Sequence, residues 1–301
     1  MIFRKYFTVF FILLFFFSGC AKKGSLGSES NPIKMYFVPS MEAGKVLSDG
    51  QKIAELLFEE TGYYFDVAVP TSYAAVIEAM GTEEADIAWF ATFAYILANE
   101  KYGAQVGLTT IRGSESRYRG QFVARDNSEI QTLQDIDGKI IAYTDAASTS
   151  GYIYPSATLK KNGIEPGRTF FSGGHPQSII AVYKGTADVG CTFWSPSDDE
   201  ESNDARISVL ETYPDVLNKV KIIGFTDWIP NDTVTFRRNF PPEMKNKIIS
   251  SLMEMSKQGK GQRILKDLYD IDGFVKSSNS DYDIVRETLE SLNVNAQQFV
   301  K

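Results

Sequence analysis

Strand-like and helix-like stretches alternate along this chain, and the alternation runs through once and then starts again. Residues 33–38, Ile-Lys-Met-Tyr-Phe-Val, read as a strand ended by Pro39. Residues 45–61 read as a helix: Val46-Leu47, Ile53-Ala54 and Leu57-Phe58 return to one face, and Gly62 can close it. A strand over 64–69, a helix over 73–80 capped by Ser72, a short strand over 86–89, a helix from about 92 to 100 and strands over 105–111 and 120–125 follow. The second pass opens with Lys139-Ile140-Ile141-Ala142-Tyr143. It continues through a helix over 149–162, a strand over 169–172, a helix over 176–184 and a strand over 187–190. Apolar runs at 221–225 and 233–236 are placed to lead back toward the first half. Apolar stripes after Pro242 and from Ile284 to Leu292 make a helical tail.

This βαβαβ order implies parallel sheets with helices on both faces. The expected fold class is therefore α/β and bilobal, two doubly wound sheets joined by hinge strands. Lobe 1 is expected over 32–122 and 228–301, and lobe 2 over 123–227. Ligands of such sheets bind beyond the carboxyl ends of the strands, so chemistry is sought there.

The first 31 residues read differently. Arg4-Lys5 precede an apolar run over 6–17 broken only by Thr8, and Ser18-Gly19-Cys20 follow. The run is too short to span a bilayer and has the build of a secretory signal peptide, expected over 1–19. The arrangement around Cys20 resembles a bacterial lipoprotein signal, with Phe17 where that signal usually has Leu. The resemblance implies cleavage before Cys20 and lipid on it, hence a cell-envelope protein, membrane-anchored and facing the periplasm or outside of the cytoplasmic membrane. Residues 20–31 then form a polar tether with a reach of roughly 18 Å. A plain signal peptide, or a short anchor with an incidental Cys, is the alternative.

Composition narrows the partners. No later stretch approaches a second spanning helix, and the roughly 280 residues from Cys20 onward suffice for two lobes. The formal charge is −7, about −9 without Arg4 and Lys5. This balance argues against a nucleic-acid partner but not against a small anion held by local backbone donors. With Cys20 lipidated, Cys191 has no partner and reads as a small buried hydrophobe. One His and one spare Cys exclude a His/Cys-rich metal site, and no cofactor is expected.

The stretch Thr144-Asp145-Ala146-Ala147-Ser148-Thr149-Ser150-Gly151 stands between the strand at Ile140-Ile141 and a helix opening at Tyr152-Ile153. Its consecutive hydroxyls and the free N–H groups of a first helical turn point to one spot, an anion site suited to phosphate-like oxygens. An ordinary N-cap needs only one such hydroxyl. His175, the only histidine, follows Ser172-Gly173-Gly174 at the same edge, where it either serves structure or donates to a ligand oxygen. Tyr73 opens a helix after Val69-Pro70, so its phenol either packs or reaches a cleft. Trp89-Phe90-Ala91-Thr92 ends the third strand, as core or as cleft wall.

Five motifs taken together resemble the phosphate/phosphite/phosphonate-binding proteins of ABC importers, in order and spacing over roughly 33–239. They are Ser72-Tyr73-Ala74-Ala75-Val76-Ile77-Glu78-Ala79-Met80, Asp86-Ile87-Ala88-Trp89-Phe90, Ser148-Thr149-Ser150-Gly151, Gly174-His175-Pro176 and Ile229-Pro230-Asn231-Asp232. The resemblance implies a bilobal type II periplasmic-binding-protein fold that closes on its ligand. It implies an extracytoplasmic solute-binding lipoprotein, monomeric and without catalysis, delivering to an ABC permease. Tyr73 would donate its phenol to a ligand oxygen, and Ser148, Thr149, Ser150 and Gly151 would bind phosphonyl oxygens through hydroxyls and backbone N–H groups. His175 would donate from the facing edge, and Asp232 would meet a substituent beyond phosphorus, such as an amine.

The chain departs from that pattern twice. Phe90 stands where the family often has Tyr, and Ser195, in Phe193-Trp194-Ser195-Pro196, stands where an acid can meet a ligand amine. The aromatics Trp89, Phe90, Phe193, Trp194 and Trp228 can instead line a wider cleft. A related lipoprotein branch resembles this chain and binds thiamine pyrophosphate, its ring stacked on aromatics and its phosphate on the Ser/Thr turn. A cell-envelope enzyme has less support: there is no G-x-S-x-G elbow, no G-x-x-x-x-G-K-S/T loop and no H-E-x-x-H pair. A Ser-Lys or paired-carboxylate site stays open. Alternating α/β patterning under a short tether gives an adhesin little support.

Overall fold

The computed structural model describes residues 24–196 and 203–291, whose long strands fall into two sheets. The expected signal peptide and Cys20 lie outside the described residues. The first sheet contains β1 (Ile33–Phe37), β2 (Phe65–Ala68), β3 (Ile87–Phe90) and β4 (Gln105–Ile111). The second contains β5 (Arg117–Arg125), β6 (Ile140–Tyr143), β7 (Arg168–Phe171), β8 (Val189–Ser195), the short β9 (Asn203–Asp204) and β10 (Val220–Pro230). The chain then returns to the first sheet with β11 (Thr233–Phe236) and β12 (Gly273–Lys276). Strand order is β12-β4-β11-β3-β1-β2 in one sheet and β10-β5-β8-β6-β7 in the other, with β9 on β8.

The heart of each sheet is parallel, β1 between β2 and β3, and β6 between β7 and β8. Each sheet also holds two reversed strands, β11 and β12 in the first, β5 and the short β9 in the second. β5 leaves β4 and lies antiparallel between β8 and β10, and β11 leaves β10 and lies antiparallel between β3 and β4. The sheets are therefore mixed, not purely parallel. The chain crosses at 112–116 and at 231–232, so the expected boundaries at 122/123 and 227/228 fall inside β5 and β10. The reason is physical: an apolar strand pattern records burial, not which sheet does the burying. β12 and a helix over 259–269 were not expected, although Ile264, Leu265 and Leu268 form a helical apolar stripe.

Helices cover both faces. α1 (Ala43–Thr61) starts where the Glu42 carboxylate accepts the N–H groups of Gly44 and Lys45, and it ends at Gly62 in the left-handed region, φ 73°. Its Val46, Ile53 and Leu57 are buried against β1, and each contributes roughly 1.5–3 kcal/mol. α7 (Pro242–Met255) and α8 (Gly259–Tyr269) share that face. α2 (Tyr73–Gly81), α3 (Thr92–Tyr102) and α9 (Asp283–Ser291) lie on the other. α4 (Tyr154–Lys161), α5 (His175–Lys184) and the short α6 (Val216–Lys219) flank the second sheet. The lobes touch: Ile153 and Tyr154 join the apolar cluster of Phe93 and Tyr95, and the Phe93 N–H donates to Thr149 Oγ1 at 2.8 Å. No helix among the described residues is long and apolar enough to cross a membrane.

Candidate functional site

The carboxyl ends of β1, β3, β4 and β6 converge on a cavity of about 270 Å³ between the lobes. Ser148 follows β6 and caps the next turn, its Oγ accepting the Gly151 N–H at 3.1 Å. That turn, Thr149–Ile153, is π-type before α4 takes over, and Ile153 N–H reaches back to the Ser148 carbonyl. Such wide turns recur at functional sites. The turn leaves N–H groups without helical acceptors, and it aims the Ser148 and Ser150 side chains at the cavity.

From the first lobe, Ser72 caps α2 through the Ala75 N–H, which sets Tyr73 as its first residue. Tyr73 is 1 % exposed, and its phenol meets the cavity with no hydrogen-bond partner. Burial first, then the nearby Asp145 carboxylate, push its pKa well above the ordinary value, so it stays a neutral donor. Trp89 and Phe90 end β3 at the same wall. The Trp89 indole N–H has no partner, whereas Phe90 brings only a ring. Thr110, near the end of β4, adds another unpartnered buried hydroxyl.

His175 opens α5 on the facing lobe. Its backbone N–H donates to the Ser40 carbonyl at 3.1 Å, and its ring stands edge-on to Phe193, centroids 4.9 Å apart. Nδ1 has no partner. Burial, and secondarily Arg112, depress its pKa to about 3, so the ring is neutral at pH 7. As a neutral imidazole it offers one donor and one acceptor, not a charge.

Tyr73, Trp89, Phe90, Ser148, Ser150, His175 and Asp232 all line this cavity. Other expected members do not. Thr149 turns its hydroxyl to the Phe93 N–H, and Thr92 donates to the Pro230 carbonyl at 2.6 Å beside a crossing. Gly151 packs behind the turn, where an added Cβ would lie 1.8 Å from Thr144 Oγ1. Trp194 points to the opposite face of β8 from Phe193, edge-on to Phe225 and tilted against Trp228, which Arg119 covers, and neither Trp194 nor Trp228 lines the cavity. Ser195 is buried off the cavity.

Asp232 is already engaged: the Arg112 guanidinium donates to Oδ2 at 2.7 Å, with its other N–H groups on Asn231 Oδ1 and the Tyr269 carbonyl. Arg112, Tyr118, Tyr269 and Asp270 line the site without having been singled out from the sequence. Arg112 follows a recognised strand, so its place at the carboxyl edge was a usable signal. Tyr118, whose phenol meets the hydroxyls of Ser150 and Thr149, and Tyr269 had none.

A bilobal α/β protein with uncharged donors gathered at strand ends between its lobes is a solute-binding clamshell of the type II periplasmic-binding-protein fold. The profile of the family described as "ABC transporter, phosphonate, periplasmic substrate-binding protein" matches residues 35–282, and the chain belongs to that family. The phosphate-import protein PhnD of Mycolicibacterium smegmatis is 28 % identical over 192 residues, 58 % of this chain and 60 % of the relative. The phosphonates-binding periplasmic protein of Escherichia coli K12 is 26 % identical over 205 residues, 65 % of this chain and 58 % of the relative. The chain thus spans about three fifths of the length of these curated relatives. Among solved structures, the binding-protein component of a Pseudomonas aeruginosa ABC phosphonate transporter superposes with a TM-score of 0.76 at 22 % identity, covering 87 % of both chains. PhnD1 of Prochlorococcus marinus, in complex with methylphosphonate, gives 0.74 at 18 % identity, covering 87 % of this chain and 98 % of that one.

Proposed function

We propose that the protein captures a phosphorus oxyanion (phosphonate, phosphite or phosphate) in the inter-lobe cleft and presents it to an ABC permease, without transforming it. The observation that carries this reading is the Tyr73 phenol. It is buried, protonated and unpartnered, and it opens on the cavity shared by Ser148 and Ser150. A buried hydroxyl with no acceptor costs about 1–3 kcal/mol, a cost that a ligand oxygen removes. Neutral donors on both lobes mean that closure completes the binding shell. Relatives point the same way, one named for phosphate import and one in complex with methylphosphonate.

In this reading 24–112 with 231–291 form one lobe and 113–230 the other, the protein acts as a monomer, and lipid on Cys20 keeps it near its permease. Thermal unfolding with phosphate, phosphite, methylphosphonate, 2-aminoethylphosphonate, thiamine and the thiamine phosphates tests it. A binder at 100 times its dissociation constant stabilises by about 2.7 kcal/mol. No stabilisation by any phosphorus oxyanion would overturn the proposal, and a response confined to the thiamine phosphates would favour the aromatic-stacking alternative.

A further inference from the structure

The oxyanion reading uses Tyr73, Ser148 and Ser150 and leaves other buried polar groups that line the same cavity unexplained. Trp89, 3 % exposed, presents an indole N–H with no acceptor to this cavity. Asp270 follows the last residue of α8 in the left-handed region, φ 55°. One of its oxygens meets Lys266 Nζ at 2.8 Å, while Oδ2 is buried with no donor. Tyr269 anchors this wall: its phenol donates to the Val38 carbonyl at 2.9 Å, and its own carbonyl accepts from Arg112 Nε at 2.9 Å. One unsatisfied donor and one unsatisfied acceptor therefore line the same cavity, from opposite ends of the chain.

Size and charge narrow what completes them. The cavity of about 270 Å³ equals the share of roughly nine waters at about 30 Å³ each. That leaves room for several heavy atoms beyond a phosphonate group. Asp232 and Asp270, two of the carboxylates that line the cavity, already have cations, Arg112 and Lys266. An ammonium would compete with those cations and could satisfy only the acceptor. A hydroxyl is both donor and acceptor, and it satisfies the indole and the carboxylate together.

We propose that Trp89 and Asp270 form a second subsite that reads a hydroxyl group on the organic substituent of the phosphonate. The proposal rests on the oxyanion reading and makes the preferred ligand a hydroxyalkylphosphonate. Asp270, and not Asp232, is then the specificity-determining carboxylate.

Calorimetric titration of ethylphosphonate, 2-hydroxyethylphosphonate and 2-aminoethylphosphonate tests this in the wild-type chain and in Asp270→Asn and Asp270→Gly. Both replacements suit the left-handed backbone at this position, so both should fold. The hydroxyl compound should bind at least about tenfold tighter than the ethyl compound, the worth of one good hydrogen bond with its buried partners. That gap should close in both variants. Equal binding of the ethyl and hydroxyethyl compounds, or a gap that survives both variants, would overturn the subsite. Tightest binding of the amino compound would reassign it to a cation. If none of the phosphonates binds, the oxyanion reading itself fails and takes the subsite with it.

Discussion

Replacing Tyr73 by Phe removes one oxygen from the cleft and leaves the ring that packs with Val76 and Phe90 in place. In the structure that oxygen is buried, protonated and without a protein partner, so the fold gains no hydrogen bond from it. In a complex it would donate to a charged oxygen, worth about 1.5–3 kcal/mol. The dissociation constant should therefore rise by about 10- to 150-fold, while the melting temperature of the free protein stays level or rises. Titration calorimetry of a phosphonate that binds the wild type gives the first quantity, and thermal unfolding of free protein the second. Tyr118→Phe is the control. Its phenol already meets Ser150 and Thr149, so it should cost more stability and less affinity. Two results would refute the reasoning. A drop of more than about 2 °C in the free Tyr73 variant, roughly 1 kcal/mol at this size, would make the phenol structural. A dissociation constant within twofold of wild type would put the ligand elsewhere.

Thr149→Val keeps the shape of the side chain but removes the acceptor for the Phe93 N–H. Closure should weaken by about 1 kcal/mol and affinity fall up to about fivefold, with the cavity lining intact, as read by titration. Gly151→Ala forces a Cβ to within 1.8 Å of Thr144 Oγ1. Overpacking of this kind should lower urea-unfolding stability by about 1–3 kcal/mol. His175 sets a pH dependence. Its pKa is about 3 in the fold and near 6.5 when unfolded, so below pH 6.5 the unfolded chain takes up a proton that the native protein refuses. Stability present above pH 6.5 is lost as pH falls toward 3, at up to about 1.4 kcal/mol per unit. Urea midpoints of wild type and His175→Asn between pH 7 and 4 check this, and equal slopes would mean that the ring titrates normally.

Much of the site was legible because its signals are local. A hydroxyl cluster between a β-strand and a helix start marks Ser148 and Ser150, and a capped helix after a strand marks Tyr73. Orientation was not legible. Successive residues of a helical turn point in different directions, about 100° apart. Adjacent hydroxyls therefore part company: Ser148 and Ser150 face the cavity, Thr149 faces Phe93 and Gly151 packs on Thr144. Strand alternation separates Phe193 from Trp194 in the same way.

The sequence by itself determined the rhythm of the elements, the family resemblance and the hydroxyl-rich turn at Ser148–Ser150, because short-range periodicity and capping chemistry are written into neighbouring residues. Only the tertiary structure decided the exchange of β5 and β11 between sheets, the Arg112–Asp232 pair and the arrival of Asp270 in the cleft. These depend on segments far apart in the chain being packed together. Burial then decides which polar atoms are left for a ligand.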